Sequence, residues 1–289
     1  MPNGVGQSGV TVLAGEELRV WLRYIHSLTG IRLDESKAYL VENRLDSLLR
    51  DQKCASFSEL YYRVRADRGT VLRRKIIDAI TTGETFFFRD KSPFDLLRFK
   101  LLPELIDRRS RELGPGAVSI RIWSAACSSG QEVYSIAIVL KEALGDCSKY
   151  RIRLVGTDIS DAAVARASYG AFSNFEVERG LSPEMRDRYF ARHGEGWRIR
   201  DELRAMAVFR TLNLMEEFAG LGRFDIIFCR NVAIYFEVED RQKLFQRIGR
   251  VLEPDGALLI GATEAVATIC PEYEAKRYHR TVFYQLRGG

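Results

Sequence analysis

The feature that most constrains this chain is an alternation of short apolar runs with amphipathic stretches through its second part. Val118-Ser119-Ile120-Arg121-Ile122-Trp123, Arg151 to Thr157, Phe224 to Cys229 and Ala257 to Gly261 read as strands, being short, rich in β-branched and aromatic residues, and closed by polar or small ones. Between them, Gln131 to Leu144, Ala162 to Tyr169 and Arg241 to Leu252 read as helices. Strands joined through crossover helices pair in parallel, so the expected fold class is α/β, with a doubly wound sheet. The run from Arg280 to Leu286 is expected to add an edge strand, with antiparallel pairing open to it. The stretch from Phe172 to Leu214 breaks the rhythm. It holds a short helix after Ser182-Pro183, then Trp197-Arg198-Ile199-Arg200 and Val208-Phe209-Arg210-Thr211-Leu212, which are expected to pair as a small antiparallel appendage.

The first part has another character. From Gly15 to Ile80 there is no strand signal, and apolar residues recur at helical spacing: Leu18, Trp21, Leu22, Tyr24 and Ile25, then Leu40, Val41, Leu45, Leu48 and Leu49. The second of these helices is expected over Glu35 to Arg50. A third begins near Ser56, where Glu59 completes a capping-box spacing, and a fourth covers Val71 to Ile80. A further helix starts at Ser92-Pro93 and stops at Leu113-Gly114-Pro115-Gly116. The expected organisation is a frayed N-terminus (1–14), a helical domain (15–80), a linker (81–91), and a larger domain (92–289) with its β-appendage at about 172–212.

With 289 residues, 46% of them hydrophobic, the chain can bury one large core and one small one. A net charge of +5 suits an acidic partner without demanding nucleic acid. Five scattered cysteines without a CxxC pair, and only three histidines, give no zinc pattern and suggest reduced thiols. No apolar stretch approaches the roughly 18 residues of a spanning helix. A soluble, cytoplasmic protein without metal is expected, touching a membrane only through a partner.

Open parallel sheets bind ligands beyond the carboxyl ends of their strands. After the first strand comes Ser124-Ala125-Ala126-Cys127-Ser128-Ser129-Gly130, whose small side chains let a ligand approach the backbone, although the same residues suit a tight turn. The loop is not GxGxxG, which disfavours a dinucleotide. Asp158 follows the second strand, where an acid accepts hydrogen bonds from ribose hydroxyls or caps the next helix. Taken together, these positions suit an adenosine-like ligand, and S-adenosylmethionine is the common candidate that remains. Glu132 could meet the ligand's amino group or simply favour the helix start. Arg230-Asn231-Val232-Ala233-Ile234-Tyr235-Phe236 follows the third strand, and Tyr235 either faces a sulfonium or packs. In Thr81-Thr82-Gly83-Glu84-Thr85-Phe86-Phe87-Phe88-Arg89, three adjacent phenylalanines must divide between the sheet and the small domain. Arg89 beyond them suits a two-point carboxylate contact or an internal salt bridge.

These motifs, with Leu252-Glu253-Pro254-Asp255-Gly256 and Gly261-Ala262-Thr263-Glu264, resemble the chemotaxis receptor glutamate methyltransferases (CheR) from about Leu18 to Gln285. The resemblance implies a class I S-adenosylmethionine methyltransferase (Rossmann-like) sheet, an all-helical N-terminal domain and a β-subdomain. It implies methyl esterification of glutamates on methyl-accepting chemotaxis receptors, leaving S-adenosylhomocysteine. Matched residue by residue, Gly83, Thr85, Arg89, Glu132, Asp158, Asn213, Leu214, Arg230 and Asn231 fall on cofactor-binding positions, and Arg89 and Tyr235 fall near the transferred methyl. Gly83 stands where some members carry Asn, and Glu84 where some carry an apolar residue. The family's receptor-facing basic helix would here contain Lys37, Arg44 and Arg50, diluted by Glu42, Asp46 and Asp51. Some members hold a receptor's C-terminal pentapeptide on the β-subdomain, with a Gly-containing insertion in its hairpin. The connection Arg192-His193-Gly194-Glu195-Gly196 is short, so no dependence on such a tether is expected, and the chain is expected to be a monomer. Nucleic-acid methylation is disfavoured, since neither an Asn/Asp-Pro-Pro-Tyr run nor Pro-Cys is present. A cofactor-binding module without turnover is disfavoured by the presence of Arg89, Asp158 and Tyr235.

Overall fold

The computed structural model describes residues 13, 15–81, 83–113 and 118–288; most of the expected frayed N-terminus and the helix stop at Gly114-Pro115-Gly116 lie outside them. The chain divides into two compact units, Met1–Thr81 and Thr82–Gly289.

The first unit is helical: α1 (Gly15–Thr29), α2 (Ala38–Asp51), α3 (Phe57–Ala66) and α4 (Val71–Ile80). Their apolar stripes converge on Trp21, Ile25, Val41, Leu45, Leu60 and Ile76, all essentially without solvent contact. The Trp21 indole donates to the Phe57 carbonyl at 3.1 Å, so its polar edge is satisfied inside the core. Leu13 is also buried, its N–H donating to Glu42 at 2.6 Å. Helix α2 starts later than its periodicity predicts, because Asp34 accepts from Ser36 N–H and winds Glu35–Lys37 into a separate 3₁₀ turn. The capping box of α3 is modified. Ser56 accepts from Glu59 N–H, but the Glu59 carboxylate reaches past Ser56 to the Ala55 N–H at 2.8 Å.

The second unit opens with α5 (Ser92–Leu96), which runs through a π-turn (Leu97–Leu101) into α6 (Leu102–Leu113). There follow β1 (Ser119–Ala125), α7 (Gln131–Leu144), β2 (Arg151–Asp158), α8 (Asp161–Tyr169), β3 (Ala171–Phe172), α9 (Asn174–Glu178), α10 (Pro183–Tyr189), β4 (Phe190–His193), β5 (Gly196–Ile199) and α11 (Asp201–Arg204). The chain ends with β6 (Ala207–Thr211), β7 (Phe224–Cys229), α12 (Val238–Val251), β8 (Leu252–Ile260), β9 (Tyr273–Tyr278) and β10 (Thr281–Leu286).

The main sheet has the order β6-β2-β1-β7-β8-β10-β9. The first five run parallel, while β10 is antiparallel to both of its neighbours. This is the Rossmann-like α/β fold expected. Helix α7 buries nearly every residue from Gln131 to Leu140, being covered on both sides. A second sheet, β3-β5-β4, is small and antiparallel.

Two expectations are corrected here. Val208 to Leu212 does not belong to the antiparallel appendage: β6 lies parallel to β2, with Val208 opposite Val155. A two-residue period reports a half-buried strand but not which sheet receives it, and here the strand covers the otherwise open edge of β2. Nor is Arg280 to Leu286 the edge. The outermost strand is β9, whose Glu274 and Arg277 give it the polar character of an edge and hid it from a search for apolar runs.

Toward the amino ends of β1 and β7 the sheet contains a buried carboxylate. Asp225, 2% exposed, accepts the Arg121 backbone N–H at 2.8 Å and its guanidinium at 3.0 Å, and takes Arg109 at 3.2 Å. Hydrogen bonding by Asp225 raises the Arg121 pKa above its usual value. Asp225→Ala would leave two partly shielded guanidinium groups and a strand N–H without this acceptor. Urea unfolding is expected to show a loss of about 3 kcal/mol, the low end for a broken buried pair because both arginines keep some solvent access.

Candidate active site at the carboxyl ends of the strands

Ala125 at the end of β1 lies opposite Cys229 at the end of β7. The loops 126–130 and 230–235 therefore leave the sheet side by side, where its winding reverses. Ala126 and Ser128 adopt left-handed backbones (φ 57° and 50°), as does Gly130 (φ 95°). A Cβ on Gly130 would meet the Ala167 methyl at 2.9 Å, so this position admits no side chain. Left-handed Ala and Ser each cost about 1 kcal/mol or more, a strain that gathers at functional sites.

Asp158, at the tip of β2, ties two loops together. One oxygen accepts Ser128 N–H at 2.8 Å and the other Ser160 N–H at 3.0 Å. The cap of α8 is Ser160, whose hydroxyl accepts Ala163 N–H, so the alternative of Asp158 as the helix cap is not realised. Glu132, in the first turn of α7, accepts from the Ser124 hydroxyl at 2.8 Å and from Arg230 at 2.9 Å. Named partners hold it there in addition to the helix's positive end.

Arg230 is a strut. Its side chain is 2% exposed, and besides Glu132 it donates to the Arg89 carbonyl and the Asp90 carboxylate, each at 2.9 Å. The backbone it grips is strained, since Phe88 and Asp90 on either side of Arg89 both have positive φ (51° and 55°). The Arg89 guanidinium donates to the Glu84 carbonyl at 3.1 Å and lies 5.7 Å from the Phe86 centroid. Among the described residues it forms no ion pair, so the internal salt bridge is not realised. The three phenylalanines point three ways. Phe87 is buried edge-on against Phe172 and Phe190, Phe88 lies against Phe94, and half-buried Phe86 stands between guanidinium groups.

The Gly83 carbonyl accepts the Ser128 hydroxyl at 2.9 Å, which draws residues 83–90 onto the loop after β1. A Cβ on Gly83 would press on that hydroxyl at 2.9 Å. Thr85 is half-buried beside it. Asn231 is left-handed (φ 59°), and its N–H donates to Glu264, which also takes Gly261 N–H at 2.6 Å and Ile234 N–H at 3.2 Å. Tyr235 ends a short 3₁₀ turn and is 40% exposed, so core packing does not explain it. Asn213 and Leu214 follow β6; the Asn213 side chain accepts Met215 N–H, and buried Leu214 offers its carbonyl to Arg247. Ser128 and Glu264 stand out in the sequence only as members of motifs and Asp90 not at all, although a carboxylate three residues beyond a strand-ending glycine is a loop anchor.

The three cations expected to face a receptor lie in the helical unit and differ in availability. Arg44 donates to the Ala79 and Ile80 carbonyls, which the end of α4 leaves without helical partners. Arg50 pairs with Asp46 at 2.6 Å, and Lys37 is exposed in the turn before α2. In the antiparallel sheet, β4 and β5 are joined through Gly194 and Glu195 alone. Phe172, Asn174, Phe175, His193 and Trp197 border an open groove of about 470 Å³ there. Among the described residues no cluster of three or more His, Cys, Asp or Glu is placed for a metal, and no helix is long and apolar enough to cross a membrane.

Two carboxylates flanking a loop of small residues suit a ligand that offers a diol and an ammonium group, which the nucleoside and amino-acid ends of S-adenosylmethionine do. Fold and site define an S-adenosylmethionine-binding methyltransferase. The CheR methyltransferase all-alpha domain matches residues 16–81, and the CheR methyltransferase SAM binding domain matches residues 83–281. The chain belongs to the CheR methyltransferase family. It is 38% identical over 279 residues to chemotaxis protein methyltransferase 1 of Pseudomonas aeruginosa, covering 95% of this chain and 99% of that one. It is 39% identical to a chemotaxis protein methyltransferase of Pseudomonas putida (94% and 97% covered) and 39% identical to one of Vibrio parahaemolyticus (95% and 98%).

Glu132→Gln keeps the shape and removes the charge from this acceptor set. Calorimetric titration with S-adenosylhomocysteine is expected to show about tenfold weaker binding, as for loss of one charge-assisted bond. Burial pushes the Cys127 and Cys229 thiols well above the usual range. Each favours the folded state fully below the unfolded thiol pKa, an advantage lost as pH rises through the folded pKa. The native protein should therefore resist alkylation at both cysteines at pH 9, with modification appearing only on unfolding, as mass spectrometry of labelled peptides would show.

Proposed function

We propose that this protein transfers a methyl group from S-adenosylmethionine to glutamate side-chain carboxylates of methyl-accepting chemotaxis receptors, in the cytoplasm and as a monomer. The names of its relatives, chemotaxis protein methyltransferases, support the chemotaxis role. The observation that carries the acceptor chemistry is Arg89, a half-buried guanidinium held by a carbonyl and a ring face and paired with no carboxylate among the described residues. Asp158 and Glu132 are the acceptors for the cofactor's ribose and amino groups, with Gly83, Thr85, Asn213, Leu214 and Asn231 lining its place. Arg230 serves that place indirectly, by holding Glu132 and the backbone of Arg89 and Asp90.

The cofactor, when bound, supplies an electrophilic methyl on a sulfonium. A glutamate is ionised at neutral pH, its reference pKa being about 4.3, so no general base is required. Hydration is the obstacle, because a carboxylate surrounded by water is a poor nucleophile. Arg89 binds and orients the carboxylate by a two-point contact. Tyr235, on an exposed turn, offers an aromatic face to a cation and displaces water. Orientation of this kind can contribute up to roughly 7–11 kcal/mol. Charge is lost on both partners as the methyl moves, so placement matters more than tight binding of either ion. The tight turn at Gly194 and Glu195 supports independence from a receptor-tail tether, and Lys37 and Arg50 are the cations best placed for a receptor.

Labelled cofactor mixed with receptor membranes should yield base-labile carboxyl methyl esters; labelled nucleic acid, or no transfer at all, would refute the assignment. Arg89→Ala should lose most of that transfer while S-adenosylhomocysteine affinity stays within about tenfold. Unchanged turnover would remove Arg89 from the mechanism. A receptor-tail peptide that bound at micromolar strength in calorimetry would overturn tether independence.

A further inference from the structure

Phe86 carries two guanidinium groups, not one. Arg179 lies 4.3 Å from its ring centroid and Arg89 lies 5.7 Å from it. Two like charges sharing one ring need a counter-charge, and Glu84 provides it. Its carboxylate pairs with Arg179 at 3.0 Å while its backbone carbonyl accepts from Arg89. The arrangement is asymmetric, because Arg179 has a carboxylate partner and Arg89 has none among the described residues.

Backbone contact fixes where Arg179 stands. It follows α9, and its neighbour Gly180 has φ 109°, with a hypothetical Cβ only 1.9 Å from the Phe87 carbonyl oxygen. No side chain fits at Gly180, so the residue after Arg179 lies directly on the backbone of Phe87. The Glu84 carboxylate, by contrast, is 67% exposed and makes a single-point contact with a guanidinium that is 41% exposed. An exposed pair of this kind is weak and readily exchanged, whereas a guanidinium offers a further carboxylate a fork of donors.

We propose that Arg179 is a specificity-determining residue for the acceptor: it takes a second carboxylate of an acidic protein segment, beside the one Arg89 orients, and Glu84 is a built-in competitor that this carboxylate displaces. The proposal rests on the reading of the acceptor as a protein carboxylate. It extends the substrate from one glutamate to an acidic segment presenting at least two carboxylates. No covalent step is added; one ion pair is exchanged for another.

The test is steady-state methylation of receptor membranes by wild type, Arg179→Ala, Arg179→Lys, Glu84→Gln and the Glu84→Gln/Arg179→Ala double variant, with S-adenosylhomocysteine titration of each. Arg179→Ala should raise KM for the receptor about fivefold, the scale of one exposed ion pair, with kcat and cofactor affinity within about twofold. Arg179→Lys should lie between it and wild type. Glu84→Gln should lower KM by about twofold, and the double variant should behave as Arg179→Ala. An unchanged KM in Arg179→Ala, or a Glu84→Gln KM raised as far as that of Arg179→Ala, would overturn the proposal and leave the pair a structural one. Absence of base-labile esters with wild type would instead defeat the receptor reading, and this proposal with it.

Discussion

The buried Arg230 guanidinium is the contact on which the rest of the site depends. It is charged and almost sealed from water, and one side chain joins the helix after β1 to the strained backbone between Phe88 and Asp90. Removing a buried charge's partner generally costs more than the pair itself contributes. Glu132, Asp90 and the Arg89 carbonyl therefore stand in mutual dependence, and a change at any one is felt at the others. The residue that the family pattern places among the cofactor contacts thus bonds in this structure to Glu132, Asp90 and the Arg89 carbonyl.

Strain and close approach follow the same geography. Phe88, Asp90, Ala126, Ser128 and Asn231 hold left-handed backbones without the freedom of glycine, and all lie in the three segments that meet at the carboxyl ends of β1 and β7. Four of them are held by bonds from outside their own turn: Ser128 N–H to Asp158, Asn231 N–H to Glu264, Phe88 N–H to the Ser135 hydroxyl at 2.9 Å, and the Asp90 carboxylate from Arg230. A loop fixed in this way is set in shape before a ligand arrives, which lowers the ordering cost of binding.

Much of this was legible in the residues. The strand-helix alternation led to the parallel sheet, and helices α4 and α7 begin and end where their periodicity says. The position of Asp158 after β2 was readable because a parallel sheet places strand ends at one rim. Sheet membership of β6 was not readable, since alternation of exposed and buried residues is the same in an appendage and at an edge. Strand β9 escaped because an edge strand is polar by necessity. Side-chain allegiance was the least accessible. Nothing in the spelling of residues 83–90 says that Arg89 has no carboxylate partner among the described residues while Arg179, some ninety residues later, has one. Ion-pair partners so distant in sequence are chosen by tertiary geometry.

The insertion of β10 between β8 and β9 has a consequence for how the chain is made. Tyr284 pairs with Leu258, and β9 reaches the sheet only through β10. While the polypeptide is still being synthesised, the outer side of β8 has no neighbour until residues 281–286 have emerged. Over that interval an apolar strand edge stands open on the nascent chain, the kind of surface that pairs wrongly with another copy or recruits a chaperone. The helical unit, complete within its first eighty or so residues, is under no such delay, and a truncation that removed β10 would leave a sheet open to aggregation.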